Sequence, residues 1–392
     1  MRQLGILVIH NRYQQAGGED AVVEAEVELL RLAGHRVVPF IRDNATITRY
    51  NPLQKAALSV NTTWNQETYS TLRRIIERES PDLAHCHNLV PLVSPSAYHA
   101  CASLGVPVVQ TLHNYRLLCP SGTMFADRQV CSACRHNPMR AVLRGCYRDS
   151  HLQSAAIALM LAAHRITGTW NRKVDAYIAV SQSSGDCFVA AGLPPSRVHV
   201  KPNFLLRDPG QRPGSGGYAF FAGRLSAEKG ALEMLEAWRP LPHIPLRIAG
   251  TGPLYPETCA ALRRHNAGQV RLLGQLSPAE VRTQLSDARF LVFPSRWYEP
   301  FGMSLLEAAA LGVPAIAARI GGVPEIVVDG QTGLLFDPDN FEELTYKANW
   351  AWTHPRAMEA MGQAARALYR RKYTAEKNYD RLMNIYQSVL PN

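Results

Sequence analysis

The sequence predicts an α/β protein of two doubly wound, parallel-sheet domains facing each other across a cleft. Three observations lead there. Short apolar runs alternate with amphipathic helical stretches through the first half, as a parallel sheet covered on both faces requires. A glycine- and proline-rich stretch interrupts this alternation, which then restarts. A chain of 392 residues is long for one core and natural for two.

In chain order, residues 4–9 read as a strand buried on both faces and 19–32 as an amphipathic helix ended by Gly34. Strand 36–41, helix 67–79, strand 83–86, helix 96–104 and strands 107–112 and 176–180 follow. In the second half, strands are expected at 218–222, 246–249, 270–273, 290–293 and 315–317. Helices are expected between them at 228–238, 256–265, 278–286, 303–311 and 325–328. Residues 341–390 read as helix in three segments. The expected division is a first domain at 1–204 with a cysteine-rich basic insertion at 115–150, a linker at 205–217 and a second domain at 218–370. A last helix at 371–392 is expected to cross back to the first domain.

Hydrophobic content of 46% and charged content of 19% describe an ordinary folded protein. No run of about 18 apolar residues is present, so no spanning helix is expected. The chain enters its first strand without the pattern of a signal peptide, which predicts a cytosolic protein with reduced cysteines. The net charge of +10 concentrates between Arg116 and Lys173, where Arg128, Arg135, Arg140, Arg144, Arg148, Arg165 and Arg172 face only Asp127 and Asp149. Such a region suits nucleic acid, anionic lipid, a phosphorylated substrate or plain solvent.

The loops after the strands carry the chemistry, because ligands of such sheets bind beyond the carboxyl ends of the strands. Gly17 and Gly18 precede a helix, where backbone N–H groups can approach a phosphate; a plain turn fits equally well. Arg224 and Lys229 flank another helix entrance, a planar fork and a point charge suited to a diphosphate. Glycine turns follow at Gly250-Thr251-Gly252-Pro253, Leu273-Gly274-Gln275-Leu276 and Gly321-Gly322-Val323-Pro324-Glu325. Glu299-Pro300-Phe301-Gly302-Met303 leads into a helix that carries Glu307. The two carboxylates could grip two polyols, or Glu299 could cap the helix while Glu307 faces solvent.

These motifs, in this order and with Gly330-Gln331-Thr332-Gly333-Leu334 after them, resemble the retaining glycosyltransferases of family 4, which have the two-domain GT-B fold. The resemblance is strongest over residues 218–338 and extends to the first half through Gly17-Gly18, His113 and Val180-Ser181. It implies a nucleotide-sugar donor and a glycan, lipid-linked or small-molecule acceptor. It implies that Arg224 and Lys229 hold the donor diphosphate, Glu307 the ribose and Glu299 the transferred sugar. Backbone N–H groups near Phe301, Gly302, Met303 and Ser304 would face sugar or phosphate, Gly17 and Gly18 would close on the diphosphate, and Gly252 and Leu276 would complete the donor site. His113 matches the family's active-site histidine; a hydrogen-bonded strand-end histidine is the plainer alternative. Cationic side chains and helix entrances would stabilise the leaving diphosphate, so no catalytic metal is expected. The transition state would be oxocarbenium-like, with retention through attack on the leaving-group face.

Cys131-Ser132-Ala133-Cys134, flanked by Cys119 and Cys146 twelve positions away on each side, suits a structural zinc site of four thiolates. An iron–sulfur cluster, a set in which His136 replaces one ligand, and four unrelated thiols are the alternatives. Cys86, Cys101, Cys187 and Cys259 read as buried. Residues 152–170, apolar and flanked by arginines, read either as a packed helix or as one lying on an anionic membrane, which would suit a lipid-linked acceptor. Two other functions compete with sugar transfer. A nucleotide-sugar epimerase would need no acceptor. A nucleic-acid-binding role lacks the interleaved aromatics of a stacking platform, so no nucleic-acid partner is expected.

Overall fold

The computed structural model describes residues 2–14, 17–214, 216–264 and 268–391. Ser215 of the expected linker and His265, the last residue of an expected helix, lie outside the described residues. The chain divides into two compact units. One comprises residues 1–126, 131–206 and 375–392, the other 127–130 and 207–374.

The first unit holds a six-stranded parallel sheet of β1 (Gly5–Arg12), β2 (Arg36–Asp43), β3 (Leu83–Cys86), β4 (Val108–Leu112), β5 (Ala176–Ala179) and β6 (Val198–Val200), in the order β2-β1-β3-β4-β5-β6. β3, β4 and β5 are buried along their whole length, which is why they read as continuous apolar runs and not as alternating ones. The helices are α1 (Gly18–Leu32), α2 (Pro52–Asn61), α3 (Gln66–Glu79), α4 (Ser96–Ser103), α5 (Arg140–Arg144), α6 (His151–Ile166), α7 (Thr169–Arg172) and α8 (Gln182–Ala190). Side-chain caps fix several starts: the side chains of Asn51, Asn65 and Ser150 accept from the backbone N–H groups of Gln54, Thr68 and Gln153.

The second unit repeats the plan with β7 (Ala219–Ala222), β8 (Leu246–Ala249), β9 (Val270–Gly274), β10 (Phe290–Phe293), β11 (Ala315–Ala318) and β12 (Gly333–Phe336), ordered β9-β8-β7-β10-β11-β12. Its helices are α9 (Ala231–Trp238), α10 (Tyr255–Arg264), α11 (Pro278–Ser286), α12 (Met303–Leu311), α13 (Val323–Ile326), α14 (Phe341–Thr353) and α15 (Pro355–Lys372). The last helix, α16 (Ala375–Val389), belongs to the first unit, where Leu382, Ile385 and Tyr386 join Ile6, Val8, Leu83, Val109 and Ile178 in one core.

The strand order reverses between β1 and β3 in the first sheet and between β7 and β10 in the second. Loops leaving neighbouring strands there part to opposite faces and open a crevice at the carboxyl edge. β6, β12, α2 and α8 were not expected, and two expected helices differ near the site. The helix expected over 228–238 is a 3-10 turn at Ala227–Lys229, then Gly230 at φ 67°, then α9. A Cβ at Gly230 would strike the carbonyl oxygen of Pro294, so the break is imposed by close packing. The short helix expected at 325–328 starts two residues earlier, with Pro324 in its first turn.

Candidate active site

In the second unit the loops leaving β7, β8 and β9 are tied side by side. Gly223 N–H donates to Ala249 O (3.0 Å), Leu225 N–H to Thr251 O (2.9 Å) and Gly250 N–H to Gly274 O (2.7 Å). The β10 loop joins them through Arg296 N–H on Glu228 O (2.8 Å). Arg224 pairs with Glu228, whose carboxylate also accepts from Ser226 Oγ (2.7 Å). Lys229 Nζ donates to Glu299 Oε2 at 2.7 Å. The same oxygen accepts from Ser295 Oγ (2.9 Å) and Trp297 Nε1 (2.8 Å). Glu299 is only 4% exposed, and all three donors converge on one of its carboxylate oxygens.

Glu299 does not cap α12. The N-cap is Gly302, with no side-chain cap, and the helix entrance keeps its N–H groups for a ligand. The Gly321-Gly322 turn holds Glu299 from behind: Gly322 N–H donates to Glu299 O at 2.8 Å. Deeper in α12, Glu307 is half-buried and makes no side-chain hydrogen bond or ion pair among the described residues. Burial pushes its carboxyl up to about 7, against a weaker pull from Arg282. Met303 and Ser304 are half-buried in the first turn of α12, and the buried Phe301 sets its ring 6.0 Å from that of Tyr373. Gly252 packs on Leu225, and half-buried Leu276 follows Gln275, which accepts from Thr251 Oγ1 (3.2 Å).

Sequence reasoning missed Ser295 and Trp297. They precede Glu299 by four and two positions, a spacing that points nowhere until the loop's path is known.

In the first unit, exposed Gly17 caps α1 and is followed by exposed Gly18. Asp20, from the first turn, receives Gly17 N–H (3.3 Å) and His10 Nε2 (2.8 Å), so part of this entrance is already satisfied from within. His113 stands half-buried at the end of β4, its Nε2 2.9 Å from His87 Nδ1. Burial drives its imidazole down to about 3, so it is neutral at pH 7. It lines a cavity of about 50 Å³ together with His87, Asn114, Arg116 and Glu19. Glu19, raised by burial, accepts from Tyr13 Oη (2.9 Å) and Asn114 Nδ2 (3.2 Å). Sequence reasoning passed it over, although a carboxylate straight after a glycine pair is a signal that could have been used.

All eight cysteines are thiols, none joined in a disulfide. Cys119 and Cys134 are buried, while Cys131 and Cys146 are half-buried. A hydrogen bond with Cys134 brings the Cys119 thiol down to about 5, and Cys134 is pushed up by Cys119, then by burial, then by Cys146 and Cys131. Cys134 is the thiol that interacts with the other three. Among the described residues, Glu26, His85 and His87 are the group whose ligand atoms all lie within 4.8 Å. Of the other four cysteines, Cys86 and Cys101 are buried as expected, but Cys187 and Cys259 are half-buried.

Comparison with known proteins gives the following. Residues 205–368 match the family described as glycosyl transferases group 1, and residues 16–205 match glycosyltransferase family 4. The chain is 34% identical over 160 residues to the D-rhamnosyltransferase WbpZ of Pseudomonas aeruginosa, a match covering 40% of this chain and 42% of that one. It is 26% identical over 300 residues to the alpha-D-kanosaminyltransferase of Streptomyces kanamyceticus, covering 73% and 72%. The chain thus spans less than half the length of the first relative and about three quarters of the second. Among solved structures, Anabaena Alr3699/HepE in complex with UDP and glucose superimposes with a TM-score of 0.71 at 18% identity, over 98% of this chain and 100% of that one. Sucrose-phosphate synthase of Thermosynechococcus elongatus gives 0.72 at 17%, over 98% of each.

Proposed function

Because the chain belongs to glycosyltransferase family 4, we propose that it is a retaining glycosyltransferase, moving a hexosyl group from a nucleoside-diphosphate sugar to an acceptor hydroxyl. The observation that carries this reading is the Lys229–Glu299 pair beside the uncapped start of α12, with Glu307 further along the same helix. Arg224 and Lys229 supply positive charge for the departing diphosphate, and the entrance of α12 adds its N–H groups. The diphosphate takes over from Glu228 and Glu299 as anionic partner. Glu299, freed in part, accepts from hydroxyls of the transferred sugar. Glu307 accepts from the ribose hydroxyls. Leaving and attacking oxygens lie on one face, and the acceptor proton passes to the leaving phosphate oxygen. Positive side chains fill the role a catalytic metal would otherwise have.

HepE has been solved with UDP and with UDP-glucose, so UDP-hexoses are the first donors to try. Acceptor-dependent release of nucleoside diphosphate, with the anomeric configuration of the product read by NMR, tests the reading. An inverted product overturns retention. An epimerised donor formed without acceptor turns the assignment to an epimerase.

We also propose a lipid-linked acceptor reached from an anionic membrane, on the cytoplasmic face. No helix of the described residues is long and apolar enough to cross a membrane. Instead α6 buries Ile157, Met160 and Leu161 and exposes Leu152, Leu159 and Ile166, spaced seven apart. Leu53 and Val60 of α2 and Leu143 of α5 are also exposed. A cavity of about 620 Å³ lies between α2 and α6, with Lys55 and Arg148 among its lining residues. Apolar surface edged by cations suits an anionic amphiphile. Sedimentation with vesicles containing anionic phospholipid is expected and should weaken for Leu159→Glu. Absence of binding removes the membrane reading and leaves the transferase reading intact.

A further inference from the structure

Behind His113 lies a buried polar chain that the proposed chemistry does not use. Glu26, on α1, is 2% exposed and Lys201, just after β6, is 1% exposed. Lys201 Nζ donates to Glu26 Oε2 at 2.7 Å and to Asn378 Oδ1 of α16 at 3.2 Å. The other carboxylate oxygen, Oε1, lies 3.0 Å from His85 Nδ1 and 3.5 Å from His87 Nε2. His85 is engaged on both sides, by Tyr386 Oη at 2.7 Å and Thr111 Oγ1 at 2.8 Å. His87 Nε2 and Glu26 Oε1 are both buried atoms without a hydrogen-bond partner among the described residues, so they face each other across 3.5 Å as an electrostatic contact, and His87 Nδ1 meets His113 Nε2 at 2.9 Å.

Glu26, His85 and His87 are near enough to one another to hold a metal. The Lys201 ammonium already neutralises the carboxylate at hydrogen-bond distance, and a divalent ion there would sit against it. The chain is better read as a proton-ordering device. Burial alone would raise the Glu26 carboxyl, but Lys201 and then His85 outweigh it and hold it well below the usual range, so it is ionised and can only accept. His87 is neutral, driven down chiefly by burial. A neutral imidazole has one N–H, and the group facing its Nε2 is a carboxylate. The proton therefore sits on Nε2, and Nδ1 is left as a lone pair. His113 Nε2, facing that lone pair, must carry the proton of its own neutral ring. The order follows from Glu26 alone and reads outward to His113.

We propose that Glu26 and His87 are positioning residues that fix His113 as its Nε2–H tautomer, leaving Nδ1 as a hydrogen-bond acceptor for a hydroxyl of the bound sugar. The tautomer stands on the buried chain; its use rests on the transferase reading. A metal ligand's second partner fixes its tautomer by the same logic, here applied to a residue that binds sugar.

Long-range proton–nitrogen correlation spectra of protein with 15N-labelled histidine test this on the ligand-free chain, with His113→Asn and His87→Asn spectra assigning the peaks. The expected result is Nε2–H for both rings in the wild type. Nδ1–H at His113 overturns the proposal, whatever the protein's activity. In turnover, His87→Phe removes the acceptor and should lower kcat about tenfold or more with little change in donor KM. His87→Asn, whose side-chain oxygen can stand near the former Nδ1, should recover most of it. Wild-type kcat in His87→Phe overturns the positioning role. The expected tautomer in a chain that transfers no sugar leaves the device standing and sinks the functional reading.

Discussion

Glu307 is a carboxylate held half-buried with no hydrogen-bond donor among the described residues and only a weak pull from Arg282, and that makes its protonation a handle on the site. Its folded pKa of about 7 lies above the ordinary 4.5. Between those values the folded chain keeps a proton that the unfolded chain has lost. Stability therefore falls as pH rises through that window and levels off above about 7; the cost is at most ~3 kcal/mol. Glu307→Gln should flatten this slope in denaturant unfolding at pH 5.5 and 7.5, and an unchanged slope would rule Glu307 out as its source. Donor binding has the opposite sign. Ribose hydroxyls favour the ionised form, so donor affinity should rise between about pH 6 and pH 8 in the wild type and not in Glu307→Gln. Glu299→Ala should lose turnover, on the order of a hundredfold, whereas Glu307→Ala should mainly raise donor KM; two fully active variants would sink the proposed roles. The spacing of these two carboxylates was visible in the sequence. Their different states were not, because Lys229 lies 70 positions from Glu299 and the burial of Glu307 depends on how the segments pack.

At the scale of elements, what could be read was whatever one segment decides by itself. β3, β8 and β10 are short, mostly apolar four-residue runs, α11 and α12 have clear starts and stops, and each falls on the expected residues. β6 (Val198–Val200) was missed because three half-buried residues carry no period, and α2 because it buries none of its residues. The break at Gly230 depends on Pro294, a residue from another loop. The glycine turn behind Glu299 is of the same kind. Gly321 sits at φ 56°, and a Cβ there would press on the Glu299 backbone, 2.7 Å from its nitrogen. Gly321→Ala should cost roughly 1–3 kcal/mol and, by moving Glu299 off Lys229, reduce kcat by more than the stability loss explains. Unfolding midpoints and kinetics measured on one preparation separate the two effects. A stable, fully active variant would show that the turn tolerates the side chain.

Across the whole molecule, the two sheets with their helices account for most of the chain, and the stretch between β4 and α6 stands outside them. It buries Tyr115, Leu118, Met124 and Ala141 beside Cys119 and Cys134, carries many of the arginines behind the net charge of +10, and contains four of the eight cysteines. A metal would add to this small core as a further source of order. Here the chemistry of the sulfurs supplies a candidate. A hydrogen bond with Cys134 lowers the Cys119 thiol, and the form that binds metal is the thiolate. Its neighbour Cys134 is raised first by that hydrogen bond, then by burial, then by Cys146 and Cys131, and a divalent cation binding among the four would release protons. The sulfurs need to move closer to reach the roughly 2.3 Å bonds of a zinc tetrathiolate, and half-buried Cys131 and Cys146 are the two with room to do so. We therefore predict about one equivalent of zinc in purified protein by elemental analysis, lost together with several degrees of thermal stability on treatment with a strong chelator. Cys131→Ser should lower both metal content and melting temperature. Visible absorption with iron in place of zinc would identify a cluster instead. A metal-free protein that melts at the same temperature with and without chelator would mean that the four thiols serve only as side chains of a loop.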